Sequence, residues 1–163
     1  MTMNTEFVAI TIPSTTRQRY LGGMAALNFP SPMGTGDWHR KATFYIDHGD
    51  HRPRSFICGT GCETDTNKML GDVGIYDCTA ILNNLRIPHE SEIAYAASHA
   101  RACADLALTS VMHGGSPEFV VLDDWMPQDS DKQEIFDLLD KAIFFLSEEQ
   151  KSKVIKWKQE NVE

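Results

Sequence analysis

With 163 residues, 42% of them apolar and 23% charged, the chain has the size and composition of one folded domain, since domains usually hold ~100–200 residues. No apolar run reaches the roughly 18 residues of a membrane span, and Met1–Thr11 lacks the basic start and apolar core of an export leader. A cytoplasmic protein with no membrane partner is therefore expected, and the net charge of −8 argues against a surface built to displace counterions from nucleic acid.

The charge is unevenly spread. Residues 1–62 carry six Lys/Arg against four Asp/Glu, residues 63–125 three against ten, and residues 126–163 six against nine. The acidic 63–125 region suits a basic partner through electrostatic steering. Cys58, Cys62, Cys78 and Cys103 are expected as reduced thiols, since no leader directs the chain to an oxidising compartment.

Taken in order, Glu6–Ile12 alternates around Phe7, Ala9 and Ile10 and predicts a first strand that Pro13 ends. Ser14 or Thr15 then caps an expected helix over 16–27, with Tyr20, Leu21, Met24 and Leu27 on one face. Residues 29–38 are a Pro- and Gly-rich loop. Two strands, 42–47 and 55–59, are predicted to close a hairpin across His48–Pro53, and a second loop covers 59–74. A short helix over 77–87 stops at Pro88, and Ser91 caps a long central helix over 92–113 that Gly114-Gly115 ends. Its apolar positions are Ile93, Ala96, Ala97, Ala100, Cys103, Ala104, Ala107, Leu108 and Val111. Phe119–Leu122 reads as a strand. Capping boxes at Ser130–Gln133 and Ser147–Gln150 open two further helices, with Ile135, Leu138, Leu139, Ala142, Ile143, Leu146, Val154, Ile155 and Trp157 facing inward. The expectation is one α+β domain over 1–163. Its small, mostly antiparallel sheet of about three or four strands packs with the central helix and the two C-terminal ones.

Four constellations have the residue types for chemistry or recognition. Gly34-Thr35-Gly36-Asp37-Trp38-His39 is a Gly-rich loop whose Asp37 can orient His39 as a general base. It lacks the lysine of a phosphate loop. Cys58 and Cys62 are separated by three residues, and His99 and Cys103 stand at i, i+4. Zinc held by Cys58, Cys62, His99 and Cys103 is stereochemically conceivable, although nothing in the spacing requires a metal. His99, Arg101 and Asp105 share the central helix, where His99 reads as a core histidine. Asp123 and Asp124 adjoin Trp125 at the end of the predicted strand and read as a cap beside a groove-filling aromatic.

Gly36-Asp37-Trp38-His39, Gly74-Ile75-Tyr76-Asp77, the stretch Ser98–Leu106 and Leu122-Asp123-Asp124-Trp125 together resemble a family of small uncharacterised bacterial proteins, some encoded beside toxin–antitoxin or other defence genes. The resemblance implies that these four stretches meet in one place and that the protein regulates a partner.

The leading expectation is a cytosolic regulatory protein acting through protein–protein contacts, antitoxin-like or effector-neutralising. Asp37, Trp38, His39, His99, Arg101, Asp123, Asp124 and Trp125 are its candidate partner- or ligand-binding residues, and Trp38 and Trp125 its anchors. The alternatives are a small metal-dependent hydrolase or nuclease using His39 with Asp37, and a nucleic-acid-binding module through Arg17, Arg19, Arg40, Lys41, Arg52 and Arg54.

Overall fold

Short strands that bury both faces build the sheet. In β2 (Arg19–Leu21) Tyr20 and Leu21 are both fully buried, and the two-residue period of a strand sends them to opposite apolar layers. The same alternation splits Ile57 from Cys58 in β4 (Ile57–Gly59), Ile75 from Tyr76 in β5 (Ile75–Asp77) and Ala96 from Ala97 in β6 (Tyr95–Ala97). The computed structural model describes residues 8–28, 45–46, 57–122 and 129–162.

The sheet runs β4-β2-β6-β5. β2 is antiparallel to β4, with Tyr20 opposite Cys58, and parallel to β6, with Leu21 opposite Ala96, while β5 is antiparallel to β6. β1 (Val8–Ala9) and β3 (Tyr45–Ile46) form a separate antiparallel pair, and Ile12 bridges His89. One face of the sheet carries Leu21 and Ala96 against Ile10, Ile12, Leu82 and Ile87, the third from α3 (Thr79–Asn84). The other face carries Tyr20, Cys58, Ile75 and Ala97 against the helices: α1 (Gly23–Leu27), α2 (Asn67–Leu70), α4 (His99–Met112), α5 (Asp129–Ala142) and α6 (Glu148–Glu160). This is the expected α+β architecture, a mostly antiparallel four-stranded sheet packed with a central helix and two C-terminal ones.

α4 is the central element. Every residue from His99 to Asp105 is buried, as in a helix enclosed on all sides. Ser98 caps it by accepting the Arg101 N–H at 3.1 Å. α6 opens on a complete capping box: Ser147 Oγ accepts from Gln150 N at 3.2 Å, and Gln150 Oε1 accepts from Ser147 N at 2.9 Å. Trp157 lies edge-on to Phe136 and donates its indole N–H to Val120 O at 3.0 Å, tying α6 to α5 and to the segment after α4.

Several predicted elements give way to others. The helix expected over 16–27 divides into β2 and α1. Thr16 Oγ1 accepts from the amides of Gln18 and Arg19, and Thr16 N donates to Arg19 O, so the threonine closes a tight turn instead of opening a helix. Gly22 follows the strand because a Cβ there would lie 2.6 Å from the Cys58 sulfur. The helix expected from residue 92 begins at His99. The amides of Ala94 and Tyr95 donate to Thr79 Oγ1 and Thr15 Oγ1, and the next residues pair laterally as β6. Of the predicted 42–47/55–59 hairpin, the described residues pair elsewhere, β3 with β1 and β4 with β2, and the remainder lies outside the described residues. The short helix expected over 77–87 is present as α3, with Asp77 closing β5 just before it, and α2 interrupts the 59–74 loop. The expected 119–122 strand is a 3₁₀ turn, Pro117–Phe119, running into extended backbone at Val120. α5 starts at Asp129, so Ser130 lies inside it and does not cap it. Ile93 and Ile155, expected inside, are 48% and 44% exposed, and Ile143 is half-buried. Among the described residues no helix is long and apolar enough to cross a membrane.

Candidate functional site

Arg101 and Asp105 stand one turn apart on α4 with both side chains at 0% exposure, and Arg101 Nε donates to Asp105 Oδ1 at 2.9 Å. Charges this deep in protein require complete pairing. Nη1 of Arg101 donates to Val73 O at 2.7 Å and Gly71 O at 2.9 Å. Nη2 donates to Thr66 Oγ1 at 3.0 Å and to the Tyr20 hydroxyl at 3.3 Å. All five guanidinium N–H groups thus have an acceptor within the protein. Asp105 is matched in turn: Thr66 Oγ1 donates to Oδ1 at 2.6 Å, and the Tyr20 hydroxyl donates to Oδ2. The guanidinium also lies 5.4 Å from the Tyr20 ring centroid.

Four elements position this cluster. β2 supplies Tyr20, Thr66 stands immediately before α2, residues 71–73 lead into β5, and α4 supplies the ion pair. Burial, reinforced by the negative charge of Asp105, holds the Tyr20 hydroxyl well above the ordinary phenol range, so it remains a donor. With every donor and acceptor answered internally, the cluster clamps the sheet to its covering helix. It offers a ligand no unused guanidinium donor. The spacing of Arg101 and Asp105 on an apolar helix was visible in the sequence. Tyr20 and Thr66 were not, since they lie 85 and 39 positions from Asp105.

His99, at the first position of α4, is 2% exposed. It lies near α5, where burial raises the Asp131 carboxyl and the neighbouring His99 only partly opposes that rise. His99 and Arg101, two of the candidate binding residues, are therefore interior. Asp37, Trp38, His39, Asp123, Asp124 and Trp125 lie outside the described residues.

The cysteines are unpaired, with Cys58, Cys78 and Cys103 buried and Cys62 half-buried. Burial pushes the Cys58 thiol up to about 12, with Asp105 adding to it, and the Cys78 thiol up to about 12, with Asp77 adding to it. Cys103 is raised by burial alone. These thiols pack as small apolar side chains. Cys58, Cys62, His99 and Cys103 do not assemble into a ligand set: among the described residues no three His, Cys, Asp or Glu side chains are placed to hold one ion. Of the basic residues singled out near the N-terminus, Arg17 is already engaged, donating to Ile75 O at 2.9 Å and lying 4.9 Å from the Tyr95 ring centroid.

Two of the four resembling stretches do meet. Ser98 N donates to Gly74 O at 2.7 Å, and a Cβ on Gly74 would stand 2.8 Å from Arg101 Cβ. Leu122 belongs to the α6 side, where its amide donates to Asn161.

On the outside, a cleft of about 210 Å³ lies between α6 and the 116–118 segment, lined by Ser116, Glu118, Lys153, Lys156, Trp157 and Glu160. It is smaller than the ~300–1,000 Å³ of typical ligand pockets, and its Lys153 is engaged by the carbonyls of Gly114 and Gly115 at 3.2 and 3.1 Å. Among the described residues the two most exposed aromatics are adjacent in the chain. Phe144 and Phe145, in the 3₁₀ turn joining α5 to α6, are 82% and 60% exposed. Comparison of the chain with protein families, curated proteins and solved structures finds no match.

Proposed function

We propose that this is a regulatory protein that acts by docking on another protein, in the antitoxin-like or effector-neutralising manner implied by the resemblance of its 36–39, 74–77, 98–106 and 122–125 stretches. The observation that carries the reading is the Phe144–Phe145 pair. Single apolar residues on a surface need no explanation. Two neighbouring phenyl groups on a corner held by α5 on one side and by the α6 capping box on the other are another matter. Leu146, buried directly behind them, fixes the turn. Covering the exposed parts of both rings removes about 250 Å² of apolar surface from water, on the order of 6 kcal/mol before the costs of association. Rigid aromatic anchors of this kind concentrate binding energy at the centres of interfaces. The phenylalanines are anchors of the same kind as Trp38 and Trp125, which the sequence suggested and which lie outside the described residues.

Site-specific photocrosslinking in the cells that make the protein tests this. Benzoylphenylalanine at position 144 or 145 is expected to capture one discrete protein, while the same group at the exposed Gln159 of α6 captures none. Equal labelling at all three positions, or no adduct at 144 and 145, counts against docking at this corner.

A further inference from the structure

The chemistry of the partner is written along α5. Gln133, Asp137 and Asp140 follow at i, i+4 and i+7, one line on α5, which leads into the 3₁₀ turn that carries Phe144, and all four are exposed, as is Glu134 beside them. The opposite side of α5 carries the buried Ile135, Phe136, Leu138, Leu139 and Ala142. Not every carboxylate here needs an outside partner. Asp129 and Asp131 lie in the first turn, where the helix dipole favours negative charge. Asp140 accepts from Lys158 at 2.8 Å. Glu134 and Asp137 have neither explanation, although Asp137 accepts from Gln133 Nε2 at 2.9 Å and has the exposed Lys141 one turn on. They sit beyond the first turn, no cation pairs with them among the described residues, and their i, i+3 spacing sets like charges side by side. Burial raises the Glu134 carboxyl, and the charges of Asp131 and Asp137 add to it.

Resting on the docking reading above, we propose that the segment covering Phe144 and Phe145 is a basic, amphipathic stretch of protein: its apolar side takes the two rings, and its lysines or arginines run back along α5 to Asp137 and Glu134. The cations would lie about two to three turns, roughly 10–15 Å, from the rings, because exposed Lys141 occupies the turn between. A second copy of this chain fits poorly, since it would set one acidic ridge against another in a protein of net charge −8. A lipid surface fits no better, because anionic headgroups repel the same carboxylates.

The test uses the full-length protein and two fluorescent helical peptides of about 14 residues (about four turns) with identical leucine faces, one bearing lysines and the other glutamates. Binding is read by anisotropy at low and high salt. The lysine peptide is expected to bind about tenfold or more tighter than its twin at low salt, with the preference shrinking as salt rises. E134Q/D137N erases the preference, and F144A/F145A weakens the lysine peptide by about tenfold or more. All four positions are exposed, and circular dichroism confirms that the variants keep the fold. If both peptides bind equally and both need the phenylalanines, the basic partner is refuted while docking stands. If neither binds, or if F144A/F145A changes nothing, both fail. Phenylalanine-dependent partition onto vesicles in place of peptide binding also overturns the proposal.

Discussion

Arg101→Met is the sharpest probe of the buried clamp. Methionine keeps much of the side-chain volume and the helix propensity, so its effect isolates the lost charge and donors. The variant leaves the Asp105 carboxylate at 0% exposure with only Thr66 and Tyr20 donating to it. The carbonyls of Gly71 and Val73 also lose their partner, but both residues are exposed and water can replace it. The dominant cost is the stranded carboxylate, and removing one member of a buried pair costs about 3–5 kcal/mol. Tyr20→Phe, which deletes one donor to Asp105 and one acceptor from Arg101, should cost less, about 1–3 kcal/mol. The two should be non-additive, with a coupling of roughly 0.5–3 kcal/mol, because they share the same carboxylate. Urea unfolding followed by far-ultraviolet circular dichroism measures this, read as a lower midpoint at unchanged slope. A loss below about 1 kcal/mol for Arg101→Met, or strict additivity with Tyr20→Phe, would refute a tightly coupled clamp.

Two further outcomes follow from local geometry. Thiols ionise near 9 in the unfolded chain but only at about 12 for folded Cys58 and Cys78. Between those values the unfolded state has released protons that the folded state keeps, so stability is complete below 9 and falls as pH rises, by up to about 1.4 kcal/mol per pH unit per group. Equal urea midpoints at about pH 8 and about pH 10.5 would contradict this. Gly74 and Gly61 have nearly the same positive φ, +80° and +81°, but a Cβ on Gly74 meets Arg101 Cβ at 2.8 Å whereas one on Gly61 meets nothing within 4 Å. Gly61→Ala should cost about 1–2 kcal/mol for backbone strain alone, and Gly74→Ala about 1–3 kcal/mol more for overpacking. Matching losses in thermal unfolding would remove the steric argument.

The C-terminal helices were legible because each buries one side only. Leu138, Leu139 and Ala142 in α5, and Val154 and Trp157 in α6, leave polar residues on the opposite side, and the Ser147–Gln150 box marks a start. β2 and β6 were not, because a strand buried on both faces shows no alternation of apolar and polar residues. Tyr20-Leu21 and Ala96-Ala97 therefore fit a helical stripe equally well in sequence; strand pairing decides it for β2, and for β6 so do the bonds that Thr15 and Thr79 accept from the Tyr95 and Ala94 amides. The candidate site divides along similar lines. A pair within one helix can be read from its spacing, whereas Tyr20 and Thr66 reach Asp105 only through the tertiary fold. Phe144 and Phe145 look in sequence like any core phenylalanines, and only the position of the turn that carries them leaves them in solvent.

The clamp also governs how the molecule opens. Arg101 and Asp105 are neighbours in any helical turn, but Tyr20 lies 85 positions from Asp105 and joins only when β2 has docked. Interactions across so long a loop are costly to close early in folding. Those from Tyr20 are therefore expected to form late, with their stabilisation showing mainly as slow unfolding. Tyr20→Phe is then expected to speed unfolding more than it slows folding, as the two arms of a urea chevron would show. The cluster thus acts as a latch on β2, setting how seldom the sheet parts from α4.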